Sequence, residues 1–292
     1  MALEKLILLS VFYLGILANP KIGAQNITPS ETKIHSERSL FSSLHTLSIH
    51  IKDPAVHDSV FLFLKEQLQL PVYYHPLTLG ERKYAGIYAG NLVLEPCGPY
   101  SNFQYATPHF KALFFGLTFE PFHSISLIPE SLQKKQIKHE VAGDEFIYLK
   151  DNGLCGQNIT ISIMERHEKL RDHARRDSLR LAIALNSHQG MGIEYVKEVR
   201  IGYSQDLQLQ KWKAFTSPSS ITSENLWNVG NGLTIRFVPT TIKEVKGIVF
   251  KVKSLARTKQ YLAGKQFTFM EKGKEIILDP AQAFGLSICF SE

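Results

Sequence analysis

From residue 44 onward the chain carries a repeating rhythm of apolar and polar positions. Leu47, Ile49 and Ile51 alternate with Thr46, Ser48 and His50, which predicts a strand with one buried face. Asp53-Pro54 ends that strand, and Asp53 can cap a helix running to about residue 70. Val56, Val60, Phe61, Leu64 and Leu68 recur there at helical spacing. Strand-like stretches follow near residues 72–76, 84–88 and 91–95. The unit reads strand, helix, then three strands.

The same order recurs three times. The second unit opens at 112–120, continues through a helix near 128–136, and closes with strands near 145–149 and 158–165. The third begins at 196–203 and ends at 233–238; the fourth begins at 247–252, passes through a helix at 255–262 and ends at 286–290. Repetition of one supersecondary unit predicts an α+β fold of four βαβββ modules paired into two domains. The domains are expected at 44–168 and 195–292, joined by a connecting helix and loop at 169–194. That helix is basic, and Leu170, Ala174, Leu181 and Leu185 suggest its apolar stripe. His167 and His173 lie roughly 240° apart around a helix, so with Asp172 they read as a solvated polar face and not as a shared metal site.

What precedes residue 44 reads differently. A short charged start, an apolar run at 6–18 and a small residue at Ala24 predict a signal peptide over 1–24, its apolar core too short for a comfortable membrane span. Residues 25–43 are polar and aperiodic, a flexible leader. The expected product is secreted or periplasmic, with no stable membrane insertion once the signal is removed. Export permits disulfides, yet Cys97, Cys155 and Cys289 allow at most one bridge.

With 44% hydrophobic and 21% charged residues, a disordered or coiled-coil chain is excluded. A formal charge of +6 spread along the sequence is too dilute for a nucleic-acid groove, so a small molecule is the expected partner.

Four segments carry a resemblance to a known family. Trp227-Asn228-Val229-Gly230-Asn231-Gly232-Leu233-Thr234-Ile235-Arg236-Phe237 resembles the closing hairpin of a vicinal oxygen chelate module. The stretch IVFKVKSLARTKQYL from Ile248 resembles the opening strand and helix of the next module, and residues 280–290 its last strand. GNLVLEPCGP, from Gly90, resembles the metal-bearing strand of glyoxalase-like domains. The superfamily includes glyoxalase I, extradiol dioxygenases, epimerases and antibiotic-sequestering proteins, so the fold alone does not fix a function.

The resemblance implies a cleft between paired modules, with metal ligands on opening and closing strands. His50 stands at the opening-strand position and Glu95 at the closing one. In the second module Glu165 matches Glu95, Thr118 matches His50, and Glu120 follows two residues on. The implied ligands are His50, Glu95 and Glu165, with Glu120 as a fourth candidate. Such a set suits a divalent zinc, iron, manganese or nickel ion. Glu165, or Glu120 if unligated, would be the catalytic base of a metal-dependent lyase or isomerase acting on a small oxygenated substrate. The alternative is a non-catalytic protein that sequesters a small molecule in the same cleft. Each residue also has a plainer role open to it, as a strand-end or core polar group. In the second domain the corresponding strands offer Arg200, Gly202, Arg236 and Lys251, with no His and no well-placed carboxylate, which predicts a metal-free domain, either structural or anion-binding.

Tyr73, Tyr74 and His75 could line the cleft mouth or simply pack. There is no Gly-x-Ser-x-Gly elbow, and nothing beside Cys97 argues for a reactive thiolate.

Overall fold

A computed structural model of the chain describes residues 39–100, 110–156, 158–165, 169–186 and 190–292, without side chains for 169–171. The expected signal peptide and most of the leader lie outside the described residues.

The first repeat comprises β1 (Phe41–Ile51), α1 (Pro54–Leu62), β2 (Val72–Leu79), β3 (Arg82–Tyr88) and β4 (Val93–Gly98). Alternation decides β1, which starts before the expected Leu44: Leu47 and Ile49 are buried in the core while Thr46, Ser48 and His50 take the other face. Asp53 caps α1 by accepting a hydrogen bond from the Ala55 N–H at 2.9 Å, and Pro54 occupies the first helical position. The helix continues as a π-turn over Phe63–Gln67. The second repeat repeats the order: β5 (Ala112–Pro121), α2 (Ile128–Lys134), β6 (His139–Ala142), β7 (Phe146–Leu149) and β8 (Thr160–Met164).

After α3 (Lys169–Asn186) come β9 (Ile193–Tyr203), α4 (Asp206–Thr216), β10 (Leu226–Gly230) and β11 (Leu233–Pro239). Here two strands follow the helix where the other repeats have three. Residues 217–225, SPSSITSEN, have no alternation to build a strand, and Pro218 lacks a donor for a ladder. The fourth repeat is complete: β12 (Val245–Val252), α5 (Leu255–Gly264), β13 (Phe269–Lys272), β14 (Glu275–Leu278) and β15 (Ile288–Ser291).

Repeats pair through their first strands. The first sheet has eight strands in the order β2-β3-β4-β1-β5-β8-β7-β6, and the second has seven, β10-β11-β9-β12-β15-β14-β13. Within each repeat the last strand lies parallel beside the first, and the two first strands of a pair run antiparallel. The apolar faces of both sheets merge into one continuous core. Phe41 and Phe215 meet at 4.7 Å between ring centroids, and Phe119 and Trp227 at 5.4 Å. The polar faces are left for chemistry. Cys97, Cys155 and Cys289 are free thiols. Among the described residues no helix is long and apolar enough to cross a membrane.

Candidate functional site

Strand register sets the polar face of the first sheet. In one cross-strand row Glu95 (β4), Ser48 (β1), Gly116 (β5) and Thr160 (β8) are successive partners; in the next stand Val93, Thr46, Thr118 and Ser162. On the far side of Glu95, His50 lies opposite Cys97. At the centre is a half-buried carboxylate among hydroxyls. The Tyr74 hydroxyl donates to Glu95 Oε1 at 2.6 Å and the Ser48 hydroxyl to Oε2 at 3.3 Å. The Thr118 and Ser162 hydroxyls share a hydrogen bond of 2.9 Å in the neighbouring row.

One end of this face is aromatic. Tyr84, Cys97 and Phe115 form a small buried cluster with Tyr74 and Tyr100 packed against it. His50 is buried there, its ring 5.7 Å from that of Tyr100 and 6.0 Å from that of Phe115, and its Nε2 accepts the Tyr100 backbone N–H at 3.1 Å. Burial pushes the imidazole pKa down to about 4, so it is neutral near pH 7. Burial also drives the Cys97 thiol and the Tyr100 hydroxyl upward, which makes Cys97 an inert thiol.

The other end is ionic, and α3 supplies half of it. A register shift between Leu44 and Thr46 leaves His45 as the extra residue of a bulge, its Nδ1 2.6 Å from the Thr46 hydroxyl. His45 Nε2 lies 3.6 Å from Asp172 of α3. Asp172 takes the Arg176 Nε–H at 2.6 Å, and Arg176 Nη2 reaches Glu120 at 3.4 Å. Burial would raise the Glu120 and Asp172 carboxyls, but Arg176 and His45 beside both, with Ser43 donating to Glu120, hold them below the usual carboxylate range.

The sequence-derived ligand set separates in space. His50 and Glu95 share a face of adjoining strands. Glu165 does not join them: with Thr160 and Ser162 on the polar face, strand parity sends Glu165 to the face of Ile161 and Ile163. There it accepts the Ile125 N–H at 2.6 Å and the Ser124 hydroxyl at 3.2 Å, tethering the turn before α2. Glu120 belongs to the ionic end, bound to Arg176. Among the described residues no group of three or more His, Cys, Asp or Glu is arranged to hold a metal ion. Among the described residues the donors to Glu95 are the Tyr74 and Ser48 hydroxyls, and Glu165 and Glu120 are held elsewhere, so these residues do not fit the divalent metal implied by the sequence resemblance.

Two further expectations change. The buried stripe of α3 is Asp172, Arg176 and Ile183, whereas Leu181 and Leu185 are exposed; of the expected solvated face, Asp172 is docked, His173 is exposed and His167 lies outside the described residues. The 172/176/179/183 spacing was the signal in the sequence for this, masked by the charge of two of its members. In the second sheet the polar face does carry a central carboxylate. Buried Glu198 accepts Arg200 Nε at 2.7 Å and Arg236 Nε at 2.8 Å, and Arg200 also pairs with Glu275. Arg200 and Arg236, expected on strands without a well-placed carboxylate, are thus parts of a charge-compensated network.

This geometry has known counterparts. A variant of 4-hydroxymandelate synthase from Streptomyces coelicolor superposes with a TM-score of 0.58 at 10% identity, over 86% of this chain and 92% of that one. Homoprotocatechuate 2,3-dioxygenase from Brevibacterium fuscum, in complex with 3,4-dihydroxyphenylacetate, superposes with a TM-score of 0.52 at 11% identity, over 89% and 83%. The 2,3-dioxygenase LapB from Pseudomonas sp. KL28 gives 0.52 at 9% identity, over 86% and 93%. No family model matches the sequence, and no curated protein does. The chain has the vicinal oxygen chelate fold, in the two-sheet arrangement of the extradiol dioxygenase-like proteins. At these identities the likeness concerns the fold.

Proposed function

We propose that the protein captures a small molecule on the polar face of its first sheet, as a binding protein and without a metal. The observation that carries this reading is the donor set around Glu95. Its partner on β1 is Ser48, the Thr118–Ser162 hydroxyl pair lies in the neighbouring row, and among the described residues its charge is met by hydroxyl donors from Tyr74 and Ser48. Carboxylate, hydroxyls and an aromatic end suit recognition of an oxygenated or amine-bearing ring by hydrogen bonds and stacking. The metal-dependent lyase or isomerase reading needs a third protein ligand beside His50 and Glu95, and Glu165 lies elsewhere.

Elemental analysis tests this. Wild-type protein and a His50→Ala/Glu95→Ala variant are incubated with Fe(II), Mn(II), Ni(II) or Zn(II) and desalted. The proposal expects the same substoichiometric metal in both. One equivalent in the wild type, lost in the variant, would overturn it and restore metal chemistry. Capture itself is read by native mass spectrometry of the wild type and Glu95→Gln against a library of hydroxylated and amine-bearing aromatic fragments; no Glu95-dependent binder would refute this site.

Export belongs to the same proposal, supported by the apolar run at 6–18 and the small residues before Gln25. N-terminal sequencing of the mature protein is expected to start at Gln25, and a chain retaining Met1 would refute it.

A further inference from the structure

The helix that joins the two domains lies over the ionic end of the proposed binding face and is held there by an unusual kind of contact. Of the residues of α3 with described side chains, none belongs to the continuous core. The helix meets the first sheet through a satellite cluster, in which Ile183 packs with Tyr73, Tyr88 and Val93 and partly buried Leu179 closes the edge. It also meets it through charge. Arg176 and Asp172 sit on Glu120 and His45, the Arg175 guanidinium lies 4.8 Å above the Tyr73 ring, and Arg180 Nε reaches the Gly90 carbonyl at 3.4 Å. Next to these contacts α3 borders a cavity of about 480 Å³, lined by Arg180, Ile183 and Ala184 together with Gly90 of the first sheet and Tyr195 and Lys253 from the chain after α3.

These contacts hold the helix in one place but hold it weakly. A buried ion cluster contributes orientation and little net stability, because desolvation offsets most of the attraction between its charges. Among the described side chains of α3 the apolar share rests on Ile183, with Leu179 at its edge. An element with few core contacts and a void along one side is what opens locally while the rest of a domain stays folded.

Tyr74 connects this helix to the candidate site. Its ring packs against the Tyr73–Tyr88–Val93–Ile183 cluster, and its hydroxyl is a donor to Glu95. We infer that α3 is a gate over the first domain's binding face. Docked, it closes one end of the face and backs the Tyr74 that bonds Glu95; lifted, it uncovers Val93 and Tyr88 and removes one of the two clusters against which Tyr74 packs. This inference rests on the proposal that the face binds a ligand, and it names how access to that face is controlled.

Native-state hydrogen exchange of the full chain without ligand tests the gate independently of binding. The amides of 173–186 are expected to exchange at least about 100-fold faster than those at the centres of β1, β5 and β9. Ile183→Ala is expected to speed α3 by roughly 30-fold while leaving the strands within a few-fold of wild type. Should that variant not fold, Ile183→Val is read the same way with a smaller expected effect. The gate is overturned if α3 exchanges with the strands, or if the substitution speeds both alike. Because no ligand is present, a helix that opens in a protein with no Glu95-dependent binder refutes the site alone, and a bound ligand over a helix that never opens refutes the gate alone.

Discussion

The Tyr74 hydroxyl stands 2.6 Å from Glu95 Oε1, and it reaches that carboxylate across a glycine. A Cβ at Gly86, its partner on β3, would lie 2.5 Å from the Tyr74 ring, so the ring can lie over the strand only because that position has no side chain. Loss of a hydrogen bond to a charged, half-buried acceptor costs about 1–3 kcal/mol. Tyr74→Phe is therefore expected to lower the unfolding free energy by that amount in urea titrations. In the Glu95→Gln background the same change should cost less than half as much, and equal costs in the two backgrounds would show that the pair is not coupled.

The cluster of Glu120, Asp172 and Arg176 balances two carboxylates against one guanidinium, with His45 alongside. Removing the cation alone leaves buried negative charge. Arg176→Met is expected to destabilise the protein by about 3–5 kcal/mol. The triple variant Arg176→Met/Asp172→Leu/Glu120→Leu should recover most of that loss, since the charges leave together. Equilibrium unfolding of both proteins checks this; a triple variant no more stable than the single one would mean that packing, and not charge balance, governs the site.

His50 gives the first domain a pH dependence of definite sign. Its folded pKa is pushed down to about 4 by burial, from 6.5 in an unfolded chain. Between those values the unfolded state binds more protons than the folded one, so the stability contributed by the neutral ring is complete above pH 6.5 and is lost as pH falls toward 4. Relative to His50→Asn, which keeps an acceptor for the Tyr100 N–H, the wild type should lose on the order of 2 kcal/mol across that window. Parallel stability curves for the two proteins would show that His50 titrates normally.

How far the sequence disclosed this arrangement depended on period. Strands with a clean two-residue alternation, such as β1 and β11, and helices with a capped start, such as α1, were legible because local pattern and burial agree. The repeat itself was legible for the same reason. Of the candidate residues, alternation put His50 on the polar face of β1, and the closing strand put Glu95 on the same face. Glu165 misled because it sits one residue past Met164, where a single step moves a side chain to the other face. The α3 interface was hidden because its inward positions, Asp172 and Arg176, are charged, and charge in a helix reads as solvent exposure until a partner from another element is placed against it. Glu198 was hidden in the same way, between two arginines whose charges it compensates.

One contact between the two sheets, apart from their shared core, turns on a single dipeptide. Gly90 has φ +90°, and a Cβ there would overlap the Glu194 carbonyl oxygen and lie 2.7 Å from the Tyr195 Cα. The next residue, Asn91, donates from Nδ2 to the Val196 carbonyl at 2.8 Å and to the Asn231 carbonyl at 3.1 Å, and its Oδ1 accepts the Val196 N–H at 3.1 Å. The turn between β3 and β4 is thereby pinned to β9 and to the β10–β11 turn. Asn91→Ala leaves these groups without the side-chain amide and is expected to cost about 1–3 kcal/mol. Gly90→Ala adds backbone strain to a steric overlap that only separation of the two segments relieves, so it should cost more than Asn91→Ala and should speed hydrogen exchange at β9. If Gly90→Ala instead left both stability and β9 exchange unchanged, the close approach of this turn to β9 would be refuted, and with it the wall that β9 gives to the cavity beside α3.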